Sequence, residues 1–262
     1  IEALKKNITP LGFSACSLTD NSFDSTDENY RSIWARDGSI TVMNSLSVQD
    51  EDIRTAQRNT LTTLLQHISP GGQVPSNVRI DSESPDYSGV GDIASIDSGL
   101  WLVIAFYHYI RSTRDYKFMR SWSGEIHRAM KWLEAQDSNF DSLLEIPEAG
   151  DWTDLFGRSY NVLYDEVLWY YANICFGRLA ELLGDFDLAG YRLRLAQNIK
   201  ETLNRKFWPS TKLNSAKSFA EQQFSLGDTS YLLAEITPFN FDWRCDVYGN
   251  ILAALFNVLS LE

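Results

Sequence analysis

The sequence predicts an all-α protein in which an inner ring of antiparallel helices is wrapped by an outer ring. Three observations carry this. Long segments with 3.6-residue apolar periodicity alternate with irregular connections rich in Gly, Ser and Asp. The helical segments are of two kinds, and the two kinds alternate along the chain. No segment reads as part of a run of parallel strands.

Each element follows from its pattern. Glu51 to Ile68 is expected to be a helix with Ile53, Ala56, Leu61, Leu64 and Leu65 on one face. Ile96 to Ser112 is the next, followed by Tyr116 to Gln136, which carries Phe118, Ile126, Met130, Trp132 and Leu133. Val162 to Leu183 and Phe186 to Phe207 form a pair divided by Gly184-Asp185, which suits a C-cap and turn. A last helix is expected from near Cys245 to the end. Helices starting near Trp34, Ile96, Val162 and Cys245 are apolar on most sides, as inner helices must be. Those at Glu51, Tyr116 and Phe186 are amphipathic, with Lys and Arg outward. The connections Gln66 to Ser95 and Asp137 to Asn161 exceed the roughly 12–15 residues usual in a compact domain, and such loops tend to be functional.

Composition narrows the function. A chain of 262 residues with 44% hydrophobic and 22% charged residues is an ordinary globular sequence. It is long enough to bury roughly 70–75% of its unfolded surface. One domain, 1–262, is the expectation, since no linker or low-complexity segment breaks it. A net charge of −12 repels nucleic acid and anionic membranes. The most apolar stretch, Leu100 to Tyr109, is shorter than the roughly 18 residues a membrane span needs. No leader is visible before Ile1, and the missing initiator Met suits a processed or excised piece. Cys16, Cys175 and Cys245 are far apart and fit no metal or redox spacing, so a reducing cytoplasm is expected and Cys175 reads as core.

Four polar clusters stand where helices meet connections: Trp34-Ala35-Arg36-Asp37, Asp97-Ser98-Gly99-Leu100-Trp101, Gly150-Asp151-Trp152-Thr153-Asp154 and Phe241-Asp242-Trp243-Arg244. Each sets an Asp near a Trp, and two add an Arg. Carboxylate and guanidinium can hydrogen-bond adjacent sugar hydroxyls while an indole packs on the ring's C–H face. Taken singly, an Asp at a helix start is an N-cap, and an Asp–Arg couple an inter-helix ion pair. Four repeats at equivalent places turn the reading toward a carbohydrate cleft, while the 13% aromatic content suits either such a cleft or simply a large core.

These motifs, in this order, resemble those of the six-hairpin glycosidases, especially the amylo-1,6-glucosidase domains of glycogen-debranching enzymes and the neutral/alkaline invertases. The resemblance runs from Trp34 to the C-terminus. Gly72-Gln73-Val74-Pro75-Ser76 is similar to a family loop, Asp97 to Trp101 to the invertase form of a motif, and Leu168 to Ala172 to a family helix. Asp151-Trp152-Thr153-Asp154 is similar to the segment ending in the family's catalytic aspartate. The resemblance therefore implies an (α/α)6 barrel, incomplete here at about seven or eight of twelve helices. It also implies an inverting hydrolysis with Asp154 as general acid. The two carboxyl groups would stand roughly 6.5–9.5 Å apart. Trp34, Arg36, Asp37, Asp97, Trp101, Asp151, Trp152, Asp242 and Arg244 become the expected sugar-binding residues.

Two departures qualify it. Tyr164 and Asp165 occupy places where many relatives carry a Glu, and the family's catalytic base lies beyond the region this chain covers. Glu148 is a second local candidate for the acid. An acid here must hold its proton well above the ordinary Asp pKa of about 3.9, with Trp152, Leu155 and Phe156 as the expected desolvating neighbours and Asp151 as a like charge. The resemblance implies an α-glucoside as substrate, either a branched glucan or a small glucoside such as sucrose. A noncatalytic carbohydrate-binding or scaffolding relative is the alternative. Further barrel residues or a partner chain are expected to close the ring, since an open one would expose apolar surface. No cofactor is indicated. His67, His108 and His127 lie on separate helices without ligand spacing, and Gly89-Val90-Gly91 lacks the strand and Lys of a phosphate loop.

Overall fold

The computed structural model describes residues 1–17, 30–153, 156–209 and 228–259. Packing divides the chain into two compact units, Ile1–Leu133 and Glu134–Glu262.

The first unit opens with a short helix α1 (Glu2–Lys5) and a two-residue hairpin, β1 (Ile8–Thr9) with β2 (Gly12–Phe13). Phe13 is buried against α3 (Glu51–Gln66), where its N–H donates to Thr60 Oγ1 at 2.8 Å. Strand β3 (Ser32–Trp34) runs straight into α2 (Ala35–Ser45) and pairs antiparallel with β4 (Asn77–Arg79), which pairs with β5 (Pro85–Asp86). Asp50 starts α3 by accepting the N–H groups of Asp52 and Ile53, and Lys5 Nζ lies 2.7 Å from the same carboxylate. Helices α4 (Asp97–Thr113) and α5 (Tyr116–Glu134) follow. The ring of Phe118 on α5 packs against Phe106 and Tyr109 of α4, with the Arg58 guanidinium of α3 over it at 4.4 Å.

In the second unit β6 (Asn161–Val162) leads into α6 (Leu163–Leu183), and α7 (Phe186–Lys206) returns along it. Gly184 ends α6 at φ 82°, the left-handed cap expected from the sequence, and Asp185 caps α7 by accepting the Leu188 N–H. Arg192 of α7 is buried, paired to Glu134 at 2.9 Å and bonded to Asn173 Oδ1 of α6 at 3.3 Å. The unit closes with the hairpin β7 (Leu233–Ile236) and β8 (Phe241–Cys245), then α8 (Val247–Leu255), which packs on α6.

The helical reading holds, with ends shifted by one or two residues, except that the last helix, expected from near Cys245 to the end, runs only Val247–Leu255. Helices α4 and α6 are buried around most of their circumference, as inner helices require, whereas α5 turns Lys117, Arg120, Arg128 and Lys131 outward. Two of the four expected inner helices differ. Helix α2 buries one face only, built from Ala35, Gly38, Ser39, Val42 and Ser45, small side chains that allow close approach to α3 and α4. Helix α8 buries Gly249, Leu252 and Ala253, while Val247, Ile251 and Leu255, spaced four apart, are 63%, 50% and 67% exposed. Cys245 belongs to a strand and not to the last helix. The long connections are also less irregular than their composition implies. They contribute short strands because their buried amide groups need partners, and every strand pair among the described residues is antiparallel. No helix of the described residues is long and apolar enough to cross a membrane.

Gly72 illustrates a local requirement. Its φ is 100°, and a Cβ there would lie 2.3 Å from the Arg128 carbonyl oxygen on α5. Gly72→Ala is therefore expected to destabilise the protein by more than about 1 kcal/mol in urea unfolding.

Candidate active site

In the first unit the chain passes from β3 to α2 at Trp34, whose backbone is still extended (φ −77°, ψ 132°). The hydrogen bond from Ala35 N–H to Ser76 O, at 2.9 Å, fixes that entry against the loop before β4. One residue later Arg36 projects onto the start of α4. Its Nε and Nη2 reach Asp97 Oδ2 and Oδ1 at 2.5 and 3.1 Å, a bidentate pair, and Ser95 Oγ donates to Asp97 Oδ1 at 2.9 Å. Asp97 is fully buried and Arg36 is partly open. The carboxylate thus orients the guanidinium, and only the guanidinium meets solvent. Asp37 is exposed, yet dense protein around it pushes its carboxyl pKa up. The Asp97 charge adds to this and Arg36 opposes it. Trp101 is buried within α4, so its indole supports the core and offers no face to solvent.

The second unit holds a tighter arrangement. Asp151 is buried, and its Oδ1 accepts from Thr153 N–H at 2.8 Å and from Thr153 Oγ. Its Oδ2 pairs with Arg158 Nη2, while Arg158 Nη1 reaches Asp246 Oδ2 at 2.7 Å. Asp246 in turn caps α8, accepting the Gly249 N–H at 3.0 Å. Burial works against the Arg158 charge, but the two carboxylates outweigh it and raise its pKa. Above this network three aromatic rings meet. Trp152 stands edge-on to Tyr248 at 5.6 Å, and Tyr164 lies 5.4 Å from Tyr248. Tyr164 is fully buried, whereas Trp152 is 40% exposed, so the trio is anchored at one end and open at the other.

The remaining residues lie on the β7–β8 hairpin. Asp242 on β8 accepts the Arg244 N–H at 3.0 Å, while the side chains of Arg244 and Trp243 are exposed. Glu235, its cross-strand partner on β7, accepts the Ser159 N–H at 3.2 Å. Burial, then the neighbouring Asp242 charge, raises the Glu235 pKa. Glu148 is exposed. Asp154 and Leu155 lie outside the described residues.

The structure therefore joins Arg36 to Asp97, and Asp151 through Arg158 to Asp246, while Trp152 meets Tyr248; the motif reading passed over Arg158, Asp246, Tyr248 and the nearby hairpin residue Glu235. Asp246 carried a signal, an acidic residue directly before a helix, but it fell just outside the Phe241 to Arg244 motif. Arg158 and Glu235 fall outside the quoted motifs; Arg158 pairs with Asp151 seven residues before it and with Asp246 88 residues on, and Glu235 bonds Ser159 76 residues away. His67 Nδ1 bonds the Thr63 carbonyl at 2.8 Å, and burial lowers the His108 pKa.

No family model matches this chain, and no curated protein does. Solved structures do. A rhamnosidase from Klebsiella oxytoca with rhamnose bound superposes with a TM-score of 0.64 at 15% identity, over 88% of this chain and 39% of its own. A GH78 family rhamnosidase of Bacillus sp. GL1 gives 0.66 at 14% identity, over 99% and 24%. An unsaturated glucuronyl hydrolase specific for heparin gives 0.53 at 13% identity, over 97% and 66%. The likeness is to the (α/α)6-barrel fold of these structures. At these identities the likeness is one of fold. The chain spans about two fifths and one quarter of the two rhamnosidases it matches.

Two outcomes follow from this geometry. Arg158→Leu would leave Asp151 and Asp246 buried without a counter-charge, and it is expected to cost about 3–5 kcal/mol in denaturant unfolding, with Arg158→Lys milder. The folded-state pKa of Glu235 is raised, so the folded chain keeps this proton to higher pH than the unfolded chain. Stability from this group is therefore lost as pH rises from the unfolded to the folded pKa. Glu235→Gln should accordingly raise stability at neutral pH and flatten its dependence above pH 4, read as thermal midpoints across a pH series.

Proposed function

We propose that this chain is part of an inverting glycoside hydrolase that acts on an α-glucoside, with Asp154 as the general acid. The observation that supports it most is the clamp at the ends of the segment 151–158. The Asp151–Arg158 pair ties together the two ends of the stretch in which Asp154 falls by sequence, and Arg158 pins that stretch to the start of α8 through Asp246. The same stretch carries Trp152, whose ring is held by Tyr248 and left partly open, as stacking on a sugar requires. Anchoring the ends of the stretch that carries the acid suits protonation of a glycosidic oxygen, because geometry within a fraction of an ångström decides the rate.

In this reading Arg36, aimed by Asp97, and the exposed Asp37 bind hydroxyls in the first unit. Asp242 and Arg244 do so in the second. Asp97 and Trp101, both buried, act by supporting their neighbours. The catalytic base and the helices that cover the exposed face of α8 come from further residues of the polypeptide or from a partner chain. A cytoplasmic setting belongs to the same proposal.

The test is sugar release from maltose, isomaltose, sucrose, trehalose and an aryl rhamnoside, comparing the full-length protein with its Asp154→Asn variant. Glucose release with inverted anomeric configuration by proton NMR, reduced at least about 100-fold in the variant, is the expected result. Turnover surviving in Asp154→Asn would move the acid to Glu148 or Glu235. Release of rhamnose alone would overturn the α-glucoside, and sugar binding without turnover would identify a carbohydrate-binding relative.

A further inference from the structure

The connection after α5 has a spacing that the carbohydrate reading leaves unexplained. From Asp137 to Glu148 it runs DSNFDSLLEIPE, with an acid or amide at the first, third, fifth, ninth and twelfth places. Calcium loops use these positions because alternate side chains of a tight loop converge on one point. Here ligand oxygens of Asp137, Asp141 and Glu145 lie within 4.8 Å of one another. Two Ca–O bonds of about 2.3–2.6 Å placed end to end span the same distance. Ser142 holds the sixth place, where such loops need a sharp turn, and takes φ 78°. The twelfth residue, Glu148, is not in the cluster, because the Ile146–Tyr160 bridge has by then carried the chain into a different pairing.

An acidic loop alone can be a solvated turn, and these carboxylates already have local bonds. Asp137 accepts the Asp141 and Ser142 N–H groups, Glu145 accepts from Ser138 and Asn139, and Lys206 Nζ lies 2.6 Å from Asp141 Oδ2. The independent observation comes from α6. Glu166 is fully buried, and its Oε1 accepts the Leu144 N–H of this same loop at 2.8 Å. Its Oε2 is buried with no hydrogen-bond partner. Protonation does not resolve this, since an O–H at that atom would be a donor without an acceptor. Glu166 thus brings a fourth carboxyl group, buried and with one oxygen unpartnered, against a loop that already gathers three. The donor atoms are all oxygen, which favours calcium over zinc or copper.

We propose that Asp137, Asp141 and Glu145, with Glu166 behind them, form a binding site for a divalent cation, calcium by its donor chemistry. The site would be structural. Trp169 Nε1 of α6 donates to the Ser142 carbonyl at 3.2 Å, so the loop is already docked on that helix, and the ion would lock it there. The loop leads through the Ile146–Tyr160 bridge into the segment that contains Asp151. The ion would therefore stiffen the root of that segment, whatever reaction the protein performs.

Terbium, an oxygen-seeking ion of similar size to calcium, tests this through emission sensitised by Trp169. In the chelator-treated full chain, terbium emission should rise to saturation, fall on addition of calcium and resist equal magnesium, and calcium should raise the thermal midpoint. Asp141→Asn and Glu166→Gln should each reduce the emission at least tenfold with unchanged far-UV circular dichroism. Glu145→Gln, at a partly exposed position, serves if either variant fails to fold. An unmodified protein that shows neither saturable emission nor a calcium-dependent midpoint overturns the site. Emission unchanged in folded variants overturns these ligands.

Discussion

The second unit depends on one guanidinium. Arg158 is buried between Asp151 and Asp246, and it ties a connection to the start of a helix 88 residues further along the chain. Charges so placed are costly to desolvate, and the arrangement persists because each carboxylate has other donors, the Thr153 amide and hydroxyl for Asp151 and the Gly249 amide for Asp246. The first unit uses the same device in a simpler form. Arg36 grips the buried Asp97 with two nitrogens, so the starts of α2 and α4 are held together by a planar fork that Lys could not copy.

Such anchoring is needed because the helices themselves pack without direction. Helices α4 and α6 are lined by Leu, Val, Ile and aromatic side chains on nearly all sides, and apolar contact alone would let them slide or rotate. Ion pairs at the helix starts fix register where the connections leave, which is also where a cleft residue must be placed to within a fraction of an ångström. Burial supplies the stability, and the charged fasteners supply the position. The acidic loop after α5 follows the same logic, with Glu166 reaching from α6 to hold Leu144.

Much of this was legible in the sequence. Five long helices, the Gly184 cap and the alternation of inner and outer character at α4 to α7 followed from apolar period and turn chemistry, which are local properties. Arg36, Asp97 and Asp151 were singled out by residue type, and each does stand in an ion pair. The partners of Asp151 were not legible, and neither was the burial that separates Trp101 from Trp152. An indole beside an Asp looks the same in sequence whether its face meets the core or solvent.

What the sequence determined by itself was the helical class, the element order, the acidic charge and the residue types gathered at helix starts. All of these depend on neighbours within a turn or two. Only the tertiary structure decided which carboxylate meets which guanidinium, that Asp97 is buried against Arg36, that α2 and α8 bury one face and not all, and that Glu166 lies against the acidic loop. Those outcomes depend on pairs tens of residues apart, and their energies arise from desolvation, which exists only once the chain has closed around them.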